Sequence, residues 1–441
     1  MSVSPRLAAA EIVSAVLDEG RTLEAALAQT HSFKALEGRD RAFARAIASA
    51  TLRRLGGIDA VLARFVQRPL PDGAKLARAL LRTAAAQLLV LKTPPHAVVS
   101  ETVTLANSAR ATAAFAKLMN AVLRKVASEG GAILEALPPG ADLPGWLYAR
   151  WRAAYGDGVA AEIAAALLEE PPLDLSVKSD AEGWAQRLGG VVLPTGAVRL
   201  AGDSRKAEDH PTPYPLPSRG GVETLPGFSE GEWWVQDAAA ALPARLLGEV
   251  RGQDVLDLCA APGGKTMQLA AAGARVTALD ISAERLERVR ANLSRTRLQA
   301  EIVCADALEW RSEPRFDAIL LDAPCSATGT LRRHPDVAWV RRPTDLKALT
   351  DLQGRLLARA GAWLKPGGRL VYAVCSLEPE EGPEIVAAAL KAGGWRRSEI
   401  GMDEVGEPLV SAEGDLRTLP SHLPDRGGMD GFYAARLVGA A

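Results

Sequence analysis

The chain has 441 residues, of which 48% are hydrophobic and 24% are charged, and its net charge is −1. This length allows two or three domains with a large core, and the sequence holds no apolar run long enough to span a bilayer. Its four cysteines do not fit a disulfide framework or a CxxC zinc site, and its first residues lack a signal-peptide pattern, so we expect a cytoplasmic protein without a metal site or a membrane partner.

The first 130 residues are basic, whereas the rest of the chain is acidic. They contain 18 Lys and Arg against 10 Asp and Glu, which gives +8, and the remaining residues carry −9. A basic domain of this kind is expected to contact a polyanion. A solvated helical surface that favours arginine would show the same excess.

Residues 1–130 are predicted to form an all-helical domain. Alanine and leucine are abundant, β-branched runs are few, and apolar positions recur at helical spacing. Ile47, Ala50, Thr51 and Leu55 form one such stripe. Prolines end the helices, and Pro94-Pro95-His96 is predicted to be a turn that enters a helix.

Residues 131–230 are predicted to form a connecting region with a small α+β subdomain. The stretch Leu143–Tyr155 fits a short amphipathic helical pair, and Leu173–Val177 and Gly190–Leu193 fit short strands. Residues 203–220, which are rich in Pro, Ser, Arg and Gly, are predicted to form an exposed loop.

From residue 231 onward strands alternate with helices, which is the pattern of a doubly wound, Rossmann-like α/β domain with a parallel sheet. The predicted strands are Asp254–Leu258, Arg275–Leu279, Ala300–Cys304, Ala318–Leu321, Arg369–Val374 and Gly431–Leu437. Because ligands of such sheets bind at the carboxyl ends of the strands, we expect the functional site there.

The turn after the first of these strands is predicted to be a cofactor loop. It reads Asp257-Leu258-Cys259-Ala260-Ala261-Pro262-Gly263-Gly264-Lys265. Its two glycines allow the backbone to approach a ligand closely. The loop matches neither GxGxxG nor GxxxxGK[ST], and its proline removes a backbone donor, which argues against a dinucleotide or a triphosphate.

Acidic residues follow the next three strands. Asp280 is placed to accept hydrogen bonds from two ribose hydroxyls, Asp306 to receive an adenine amino group, and Asp322 follows the fourth strand. One aspartate would be weak evidence because aspartate is common in turns. Three carboxylates in order suit a nucleoside with cationic sulfonium and ammonium groups, which predicts S-adenosylmethionine as the cofactor.

Two cysteines also stand at strand ends. Cys325 lies in Asp322-Ala323-Pro324-Cys325-Ser326, and Cys375 lies in Val374-Cys375-Ser376. Two thiols beside a cofactor loop favour covalent catalysis, whereas burial as a small apolar residue is the usual alternative for a free cysteine. Cys259 and Cys304, in or beside apolar strands, are predicted to be packing residues.

These motifs resemble the RNA cytosine-C5 methyltransferases of the Sun/Fmu type, the RsmB family. The resemblance includes the cofactor loop, both cysteine motifs, Gly329–Asp336 and Leu364–Gly368. The N-terminal helices resemble the RNA-binding domain of the NusB antitermination family, through Arg41–Arg45, the Pro-Pro-His turn and Asn120–Arg124. The resemblance extends over nearly the whole chain and is weakest in the middle.

The resemblance implies three domains. Residues 1–130 would be a NusB-like RNA-binding domain, residues 131–230 a connecting subdomain that contacts RNA, and residues 231–441 the methyltransferase domain that uses S-adenosylmethionine. The residues assigned to cofactor binding are Cys259, Ala260, Ala261, Pro262, Gly263, Gly264, Lys265, Asp280, Asp306 and Asp322.

The resemblance also implies the catalytic roles. In this family the cysteine that matches Cys375 is the nucleophile, and the one that matches Cys325 assists release of the methylated product. A thiolate adds to carbon 6 of cytosine, after which carbon 5 can attack the sulfonium methyl group. Asp322 would lie near both the methionine and the base and hold the N3/N4 edge. A Pro-Cys dipeptide carries the nucleophile in cytosine-C5 DNA methyltransferases, which favours Cys325 by analogy, but we assign the attack to Cys375.

The sequence departs from the family pattern at three places. Leu175–Lys178 stands where an Arg-Val-Asn stretch is expected, Val374 replaces a threonine, and Glu381-Gly382 replaces an acidic-Asn pair. None of these departures removes a residue that the chemistry requires.

We therefore predict an enzyme that forms 5-methylcytosine in 16S rRNA. Its partner is expected to be ribosomal RNA, and the protein itself is expected to be a monomer. The alternatives are the same chemistry on tRNA or DNA, and a non-catalytic NusB-like RNA-binding or antitermination factor. The intact cofactor loop and the two cysteines argue against the non-catalytic alternative.

Overall fold

The structure is a computed structural model that describes residues 4–200, 221–311, 316–406 and 409–439. The predicted loop at residues 203–220 lies outside the described residues. The chain forms two compact units. The first contains the residues up to Glu170 together with Leu331–Arg342, and the second contains Pro171–Thr330 and the residues from Pro343 onward.

The described part of the N-terminal region contains only helices, which confirms the all-helical prediction.

Along the whole described chain, the helices are in order α1 (Pro5–Glu19), α2 (Leu23–Gln29), α3 (His31–Lys34), α4 (Gly38–Arg53), α5 (Leu55–Phe65), α6 (Lys75–Leu89), α7 (Pro95–Ser108), α8 (Arg110–Ala113), α9 (Ala116–Glu135), α10 (Gly145–Ala166), α11 (Ala181–Leu188), α12 (Leu242–Arg245), α13 (Gly264–Ala271), α14 (Ala283–Thr296), α15 (Val337–Val340), α16 (Asp345–Gly361), α17 (Pro383–Ala392) and α18 (Met402–Val405). None of the described helices is both long enough and apolar enough to cross a membrane.

Strands occur only from residue 173 onward within the described chain. They are β1 (Leu173–Val177), β2 (Gly190–Val192), β3 (Val198–Leu200), β4 (Trp233–Val235), β5 (Asp254–Leu258), β6 (Arg275–Asp280), β7 (Glu301–Cys304), β8 (Phe316–Asp322), β9 (Leu364–Val374), β10 (Trp395–Arg397), β11 (Leu416–Thr418) and β12 (Phe432–Gly439).

The helices of the first unit pack around one apolar core. Helices α1, α4, α6 and α9 each bury a face, with Ile12, Ile47, Leu81 and Met119 among the buried residues. The predicted proline turn is also present, because Pro95 is the first residue of α7. A proline is tolerated there since its missing N–H would have no helical partner.

The stretch Leu143–Tyr155, predicted to be a helical pair, forms one helical piece from Gly145, and the break in α10 follows it at Gly156. Gly156 has φ +80° and ψ 164°, a backbone conformation that glycine adopts at little cost. Trp151 of this helix is fully buried. The first compact unit therefore continues past residue 130 to Glu170.

A segment from much later in the sequence, Leu331–Arg342, belongs to the helical unit. The Asp336 carboxylate accepts a hydrogen bond from the Leu23 N–H at 2.9 Å, in the first turn of α2, where N–H groups lack helical partners. The Trp339 indole N–H donates to the Leu52 carbonyl at 2.9 Å, in the last turn of α4. The segment thus provides a hydrogen-bond partner for one backbone group at the start of α2 and for one at the end of α4.

The second unit is built on a sheet that, among the described residues, has eight strands in the order β10-β12-β9-β8-β5-β6-β7, with β11 paired to β12. The pairs from β9 to β7 are parallel, whereas β12 runs antiparallel to β9. The predicted doubly wound, Rossmann-like sheet is confirmed, and its last strand makes it mixed. Because the strand order reverses between β5 and β8, the expected ligand crevice lies at their carboxyl ends.

A small antiparallel sheet, in the order β2-β3-β1-β4, belongs to the same unit. Asp174 of β1 and Arg199 of β3 form a buried two-pronged ion pair, with N–O distances of 2.6 and 2.7 Å. The guanidinium also donates to the carbonyls of Arg426 and Gly428, and Asp174 accepts the Ala238 N–H. A buried charge pair requires such additional hydrogen bonds, which here connect the small sheet to the chain before β12.

The hydrogen bond from Trp339 to Leu52 predicts a local loss of stability when it is removed. Trp339→Phe keeps an aromatic ring but deletes the donor, and we expect the last turn of α4 to lose about 1 kcal/mol. Hydrogen–deuterium exchange of α4 peptides should then be roughly five-fold faster. Thr344→Ala, at an exposed position just beyond this segment, is the control, and equal exchange in all three proteins would show that the bond contributes nothing.

Candidate active site

The register of the sheet brings the predicted site residues to one edge. Leu258 at the end of β5 pairs with Leu279 of β6 and with Leu321 of β8. The next residue along each strand therefore lies at the same level of the sheet. These residues are Cys259, Asp280 and Asp322.

The cofactor loop turns sharply between β5 and α13. Cys259 has φ +61° and Gly263 has φ +100°, both in the left-handed region that favours glycine. A Cβ atom at Gly263 would lie 3.2 Å from the Val289 side chain. The Ala260 N–H donates to the Leu279 carbonyl at 3.1 Å, which fixes the loop to β6.

Asp280 holds this loop in place. Its side chain is buried, and its two oxygens accept the N–H groups of Ala261 at 3.2 Å and of Ser282 at 2.9 Å. Arg285 lies 3.6 Å from the same carboxylate and donates to the Ala261 carbonyl at 2.6 Å. The sequence predicts that Asp280 contacts ribose. The structure shows in addition that this carboxylate accepts hydrogen bonds from the loop backbone, which the sequence did not predict.

Asp306 and Asp322 are partly exposed at this edge. Asp306 accepts the Leu308 N–H at 2.8 Å, and Asp322 accepts a hydrogen bond from the Lys265 ammonium at 2.8 Å. Together with burial, the charges of Asp322, Asp280 and Asp257 all act on the Cys259 thiol and raise its pKa. A cluster of carboxylates, with two carboxylate side chains partly accessible, fits the positive charge of S-adenosylmethionine.

Lys265 is a second cation of the site, beside Asp322. It is almost buried, its ammonium lies 5.3 Å from the centre of the Phe432 ring, and it pairs with Asp322. Burial alone would lower the pKa of Lys265, but the charge and hydrogen bond of Asp322 outweigh it, so that the pKa is raised. Cys375 also acts electrostatically on this ammonium.

Asp257 was missed as a functional residue by sequence reasoning. It is fully buried inside β5 and accepts a hydrogen bond from the Thr266 hydroxyl at 2.6 Å. Its Oδ1 has no hydrogen-bond partner among the described residues. Burial raises the pKa of Asp257 to about 7, although the Thr266 bond acts in the opposite direction. The sequence signal that could have identified it is an aspartate within an otherwise apolar strand.

The two predicted catalytic thiols meet at the ends of neighbouring strands. Strands β8 and β9 are parallel with Asp322 opposite Ala373, and the Sγ atoms of Cys325 and Cys375 are 3.5 Å apart. Cys325 is 9% exposed, whereas Cys375 is half-buried. The hydrogen bond with Cys375, followed by burial and by the Cys375 and Glu381 charges, raises the pKa of Cys325 well above its usual range.

A close backbone contact ties the cysteine loops to the start of β12. The Gly329 N–H donates to the Cys375 carbonyl at 3.0 Å, and the Gly431 N–H donates to the Gly329 carbonyl at 2.8 Å. A Cβ atom at Gly329 would lie 1.9 Å from the Gly431 carbonyl oxygen, so only glycine fits there. The two glycines, distant in sequence, therefore belong to one junction.

The other two cysteines differ from each other. Cys259 is half-buried and packs against the core of the sheet, and burial raises its pKa to about 12. Cys304 is exposed, so the prediction that it is a packing residue is wrong. No group of three or more His, Cys, Asp and Glu side chains that could hold a metal ion occurs in the described part of the chain.

Comparisons with known proteins cover almost the whole chain. Residues 244–438 match the family model described as 16S rRNA methyltransferase RsmB/F, and residues 3–128 match the NusB family. The chain is 37% identical to ribosomal RNA small subunit methyltransferase B of Pseudomonas syringae pv. tomato, over 99% of this chain and 97% of that one. It is 38% identical to the protein of the same name from Xylella fastidiosa, over 99% and 98% of the two chains.

Two solved structures share the fold. The crystal structure of PH0851 superposes with a TM-score of 0.71 at 23% identity and covers 99% of both chains. The crystal structure of NSun6 from Pyrococcus horikoshii with SFG has a TM-score of 0.55 at 20% identity and covers 67% of this chain and 98% of that one.

The raised pKa of Asp257 predicts an unusual pH dependence of stability. Between about pH 4 and about pH 7 the unfolded chain would have this carboxyl ionised while the folded chain keeps it protonated. The folded state then binds more protons, so its free energy of unfolding falls as the pH rises. Asp257→Asn removes this loss, and we expect its stability relative to the wild type to increase by about 1 kcal/mol or more from pH 5 to pH 8.

Chemical unfolding at several pH values measures this difference. Asp351→Asn makes the same change at an exposed position of α16 and should show no such trend. A difference between Asp257→Asn and the wild type that stays constant with pH would contradict the prediction.

Proposed function

The chain belongs to the 16S rRNA methyltransferase RsmB/F family, and from that membership we propose that it transfers a methyl group to carbon 5 of a cytosine in small-subunit ribosomal RNA. Its cofactor is S-adenosylmethionine. The observation that carries the proposal is the pair of thiols 3.5 Å apart, next to the Lys265–Asp322 ion pair, at the carboxyl edge of the sheet. Two thiols at one such edge suit a covalent mechanism better than packing.

The cofactor loop and the acidic strand ends would hold the cofactor. The loop from Cys259 to Lys265 would approach it with its backbone, and Asp280, Asp306 and Asp322 would face its ribose, adenine and methionine parts. When bound, S-adenosylmethionine supplies the electrophilic methyl group. The phosphate-free chemistry of this ligand agrees with a loop that contains a proline instead of a further N–H donor.

The protein residues make the cytosine reactive. The Cys375 thiolate adds to carbon 6 of the base, and the ring becomes nucleophilic at carbon 5. Lys265 would stabilise the thiolate before the attack, because a neighbouring ammonium favours that form. Asp322 would hold the N3/N4 edge of the base. After methyl transfer a base accepts the carbon-5 proton, the electron pair of that C–H bond re-forms the double bond between carbons 5 and 6, and Cys375 leaves carbon 6 as a thiolate. Cys325 assists this release.

The helical region would bring the RNA to the enzyme. The target base must be unstacked for a thiol to reach carbon 6 from the face of the ring, so the protein needs affinity for the surrounding RNA. We propose that the basic residues 1–130 provide most of it through contacts with phosphates.

A groove between α7 and α9 is the candidate for these contacts. It has a volume of about 1060 Å³ and is lined by His96, Lys117, Asn120 and Arg124, and none of its described lining residues is acidic. The Pro-Pro-His turn and the Asn120–Arg124 stretch, both noticed in the sequence, thus lie on the same groove. Exposed Lys and Arg side chains without acidic neighbours suit a phosphate backbone.

Methyl transfer with separate thiol variants tests the reaction. The wild type should transfer labelled methyl groups to isolated small-subunit RNA as 5-methylcytosine, and not to DNA or tRNA. Cys375→Ala should lower the rate by ~10³-fold or more and form no covalent RNA adduct, because the nucleophile is lost. Cys325→Ala should form the adduct and release it slowly, which denaturing gels would detect.

The outcomes separate the alternatives. An adduct retained by Cys375→Ala and lost in Cys325→Ala would reverse the two roles. Methyl transfer to DNA or tRNA, without transfer to small-subunit RNA, would show that the proposed substrate is wrong. Binding of RNA without methyl transfer to any of the three nucleic acids, and without binding of S-adenosylmethionine, would favour the non-catalytic factor.

Charge reversal in the groove tests RNA binding. The double variant Lys117→Glu, Arg124→Glu should weaken binding of small-subunit RNA by ~10-fold or more and reduce the slope of log affinity against log salt by about 1–2. Arg39→Glu with Arg68→Glu makes the same change in net charge at exposed positions outside the groove. An equal loss in both double variants would show that net charge, and not the groove, determines affinity.

A further inference from the structure

A buried carboxylate without a role in the proposed reaction lies between the two cysteine loops. Glu381, in the turn after Cys375, is fully buried. Its Oε1 accepts hydrogen bonds from the Ser326 N–H at 2.8 Å and from the Gln353 amide at 3.0 Å. Its Oε2 accepts the hydroxyls of Ser326 and Ser376, the latter at 2.6 Å.

These bonds join the two catalytic loops through one side chain. Ser326 directly follows Cys325, and Ser376 directly follows Cys375. The Tyr372 hydroxyl also donates to the Glu381 carbonyl at 2.6 Å, which anchors the main chain of the turn to β9. Any shift of the carboxylate would therefore move both loops.

An ionised carboxylate suits this position for a physical reason. Burying such a group is unfavourable unless hydrogen bonds satisfy it, and Glu381 accepts four of them. Both of its oxygens only accept, so donors from two loops can converge on it at once. A glutamine would present an NH₂ group to one set of donors and could not accept their hydrogen bonds there.

The two thiols also have different charged neighbours. The pKa of the Cys325 thiol is raised by the hydrogen bond with Cys375, by burial and by the charges of Cys375 and Glu381, and a hydrogen bond with the Ala327 backbone lowers it. The Tyr372 hydroxyl also interacts with this thiol. Cys375, in contrast, interacts with the Lys265 ammonium. An anion beside a thiol disfavours the thiolate, which is the effect of Glu381 on Cys325.

We propose that Glu381 is a positioning residue that holds Cys325 and Cys375 side by side and supplies the anionic neighbour of Cys325, so that Cys375 is the thiol that attacks. The inference rests on the proposed function for the reaction. The arrangement of the two thiols is a property of the chain by itself and can be measured without RNA.

Alkylation of single thiols tests the effect of the charge. In a Cys375→Ala background, the reaction of Cys325 with iodoacetamide is followed from about pH 7 to about pH 12, so that a raised pKa lies within the range, by mass spectrometry of its peptide. Glu381→Gln removes the negative charge and should move the midpoint of the Cys325 profile to lower pH by about one unit. Glu384→Gln, the same change at an exposed position of α17, should leave the midpoint where it is.

Methyl transfer tests the positioning. In the full chain with both cysteines, Glu381→Gln should lower the methylation rate by ~10²-fold, since a displacement of about 1 Å at reacting groups has this effect. The dissociation constant for S-adenosylmethionine, measured by calorimetry, should change by less than about two-fold, because the cofactor loop is not part of the network. Glu384→Gln should keep the wild-type rate.

A second variant separates geometry from charge and replaces Glu381→Gln if that protein does not fold. Ser326→Ala removes one hydroxyl donor but keeps the carboxylate. It should lower the methylation rate while the Cys325 alkylation midpoint stays at its wild-type value. A shifted midpoint in Ser326→Ala would contradict the assignment of the shift to the Glu381 charge.

Other results would overturn the proposal directly. One such result is that Glu381→Gln keeps both the wild-type alkylation midpoint and the wild-type methylation rate. The other is that Glu381→Gln and Glu384→Gln change the midpoint and the rate by equal amounts. If Glu381→Gln shifts the alkylation midpoint but no version of the chain methylates RNA, the proposed function fails and the electrostatic role of Glu381 stands.

Discussion

The position of β8 between β5 and β9 is the constraint on which the site depends. Its pairing with β5 places Asp322 beside Lys265 of the cofactor loop, and its pairing with β9 places Cys325 beside Cys375. A slip of one residue would turn each side chain to the opposite face of the sheet. The fully buried run Ile319–Leu321 opposes such a slip, because apolar residues fill both faces of this central strand.

The edge of the sheet carries three carboxylates, and two cations, Lys265 and Arg285, each lie beside one of them. Asp257, Asp280 and Asp322 act on the same thiol, Cys259, and Lys265 pairs with only one of them. Burial strengthens electrostatic interactions and makes unpaired charge unfavourable. The raised pKa of Asp257 allows it to hold a proton near neutrality, and the charge that remains suits a cationic ligand. The composition of the site thus agrees with S-adenosylmethionine on electrostatic grounds as well as through the fold.

The sequence allowed the strands and their terminal residues to be predicted because both follow from local patterns. Apolar runs mark buried strands, and the residues after them reach the ligand edge whatever the loops do. Cys304 was wrongly predicted to pack, since β7 lies at the edge of the sheet and strand order is not a local property. The network of Glu381 was missed for a similar reason: its Ser326 donor is distant in sequence, and no periodicity encodes such a contact.

The segment Leu331–Arg342 shows that the helical unit includes residues from a distant part of the sequence. Without it, the Leu23 N–H would lose Asp336 and the Leu52 carbonyl would lose Trp339, which leaves helix ends of α2 and α4 without these partners. The helical unit is therefore completed by residues from within the methyltransferase sequence. A free-standing RNA-binding factor would have no need of that arrangement. Two helix-end groups of the helical unit are thus paired with residues from the part of the sequence that matches the methyltransferase family, which argues against the helical unit as a free-standing factor.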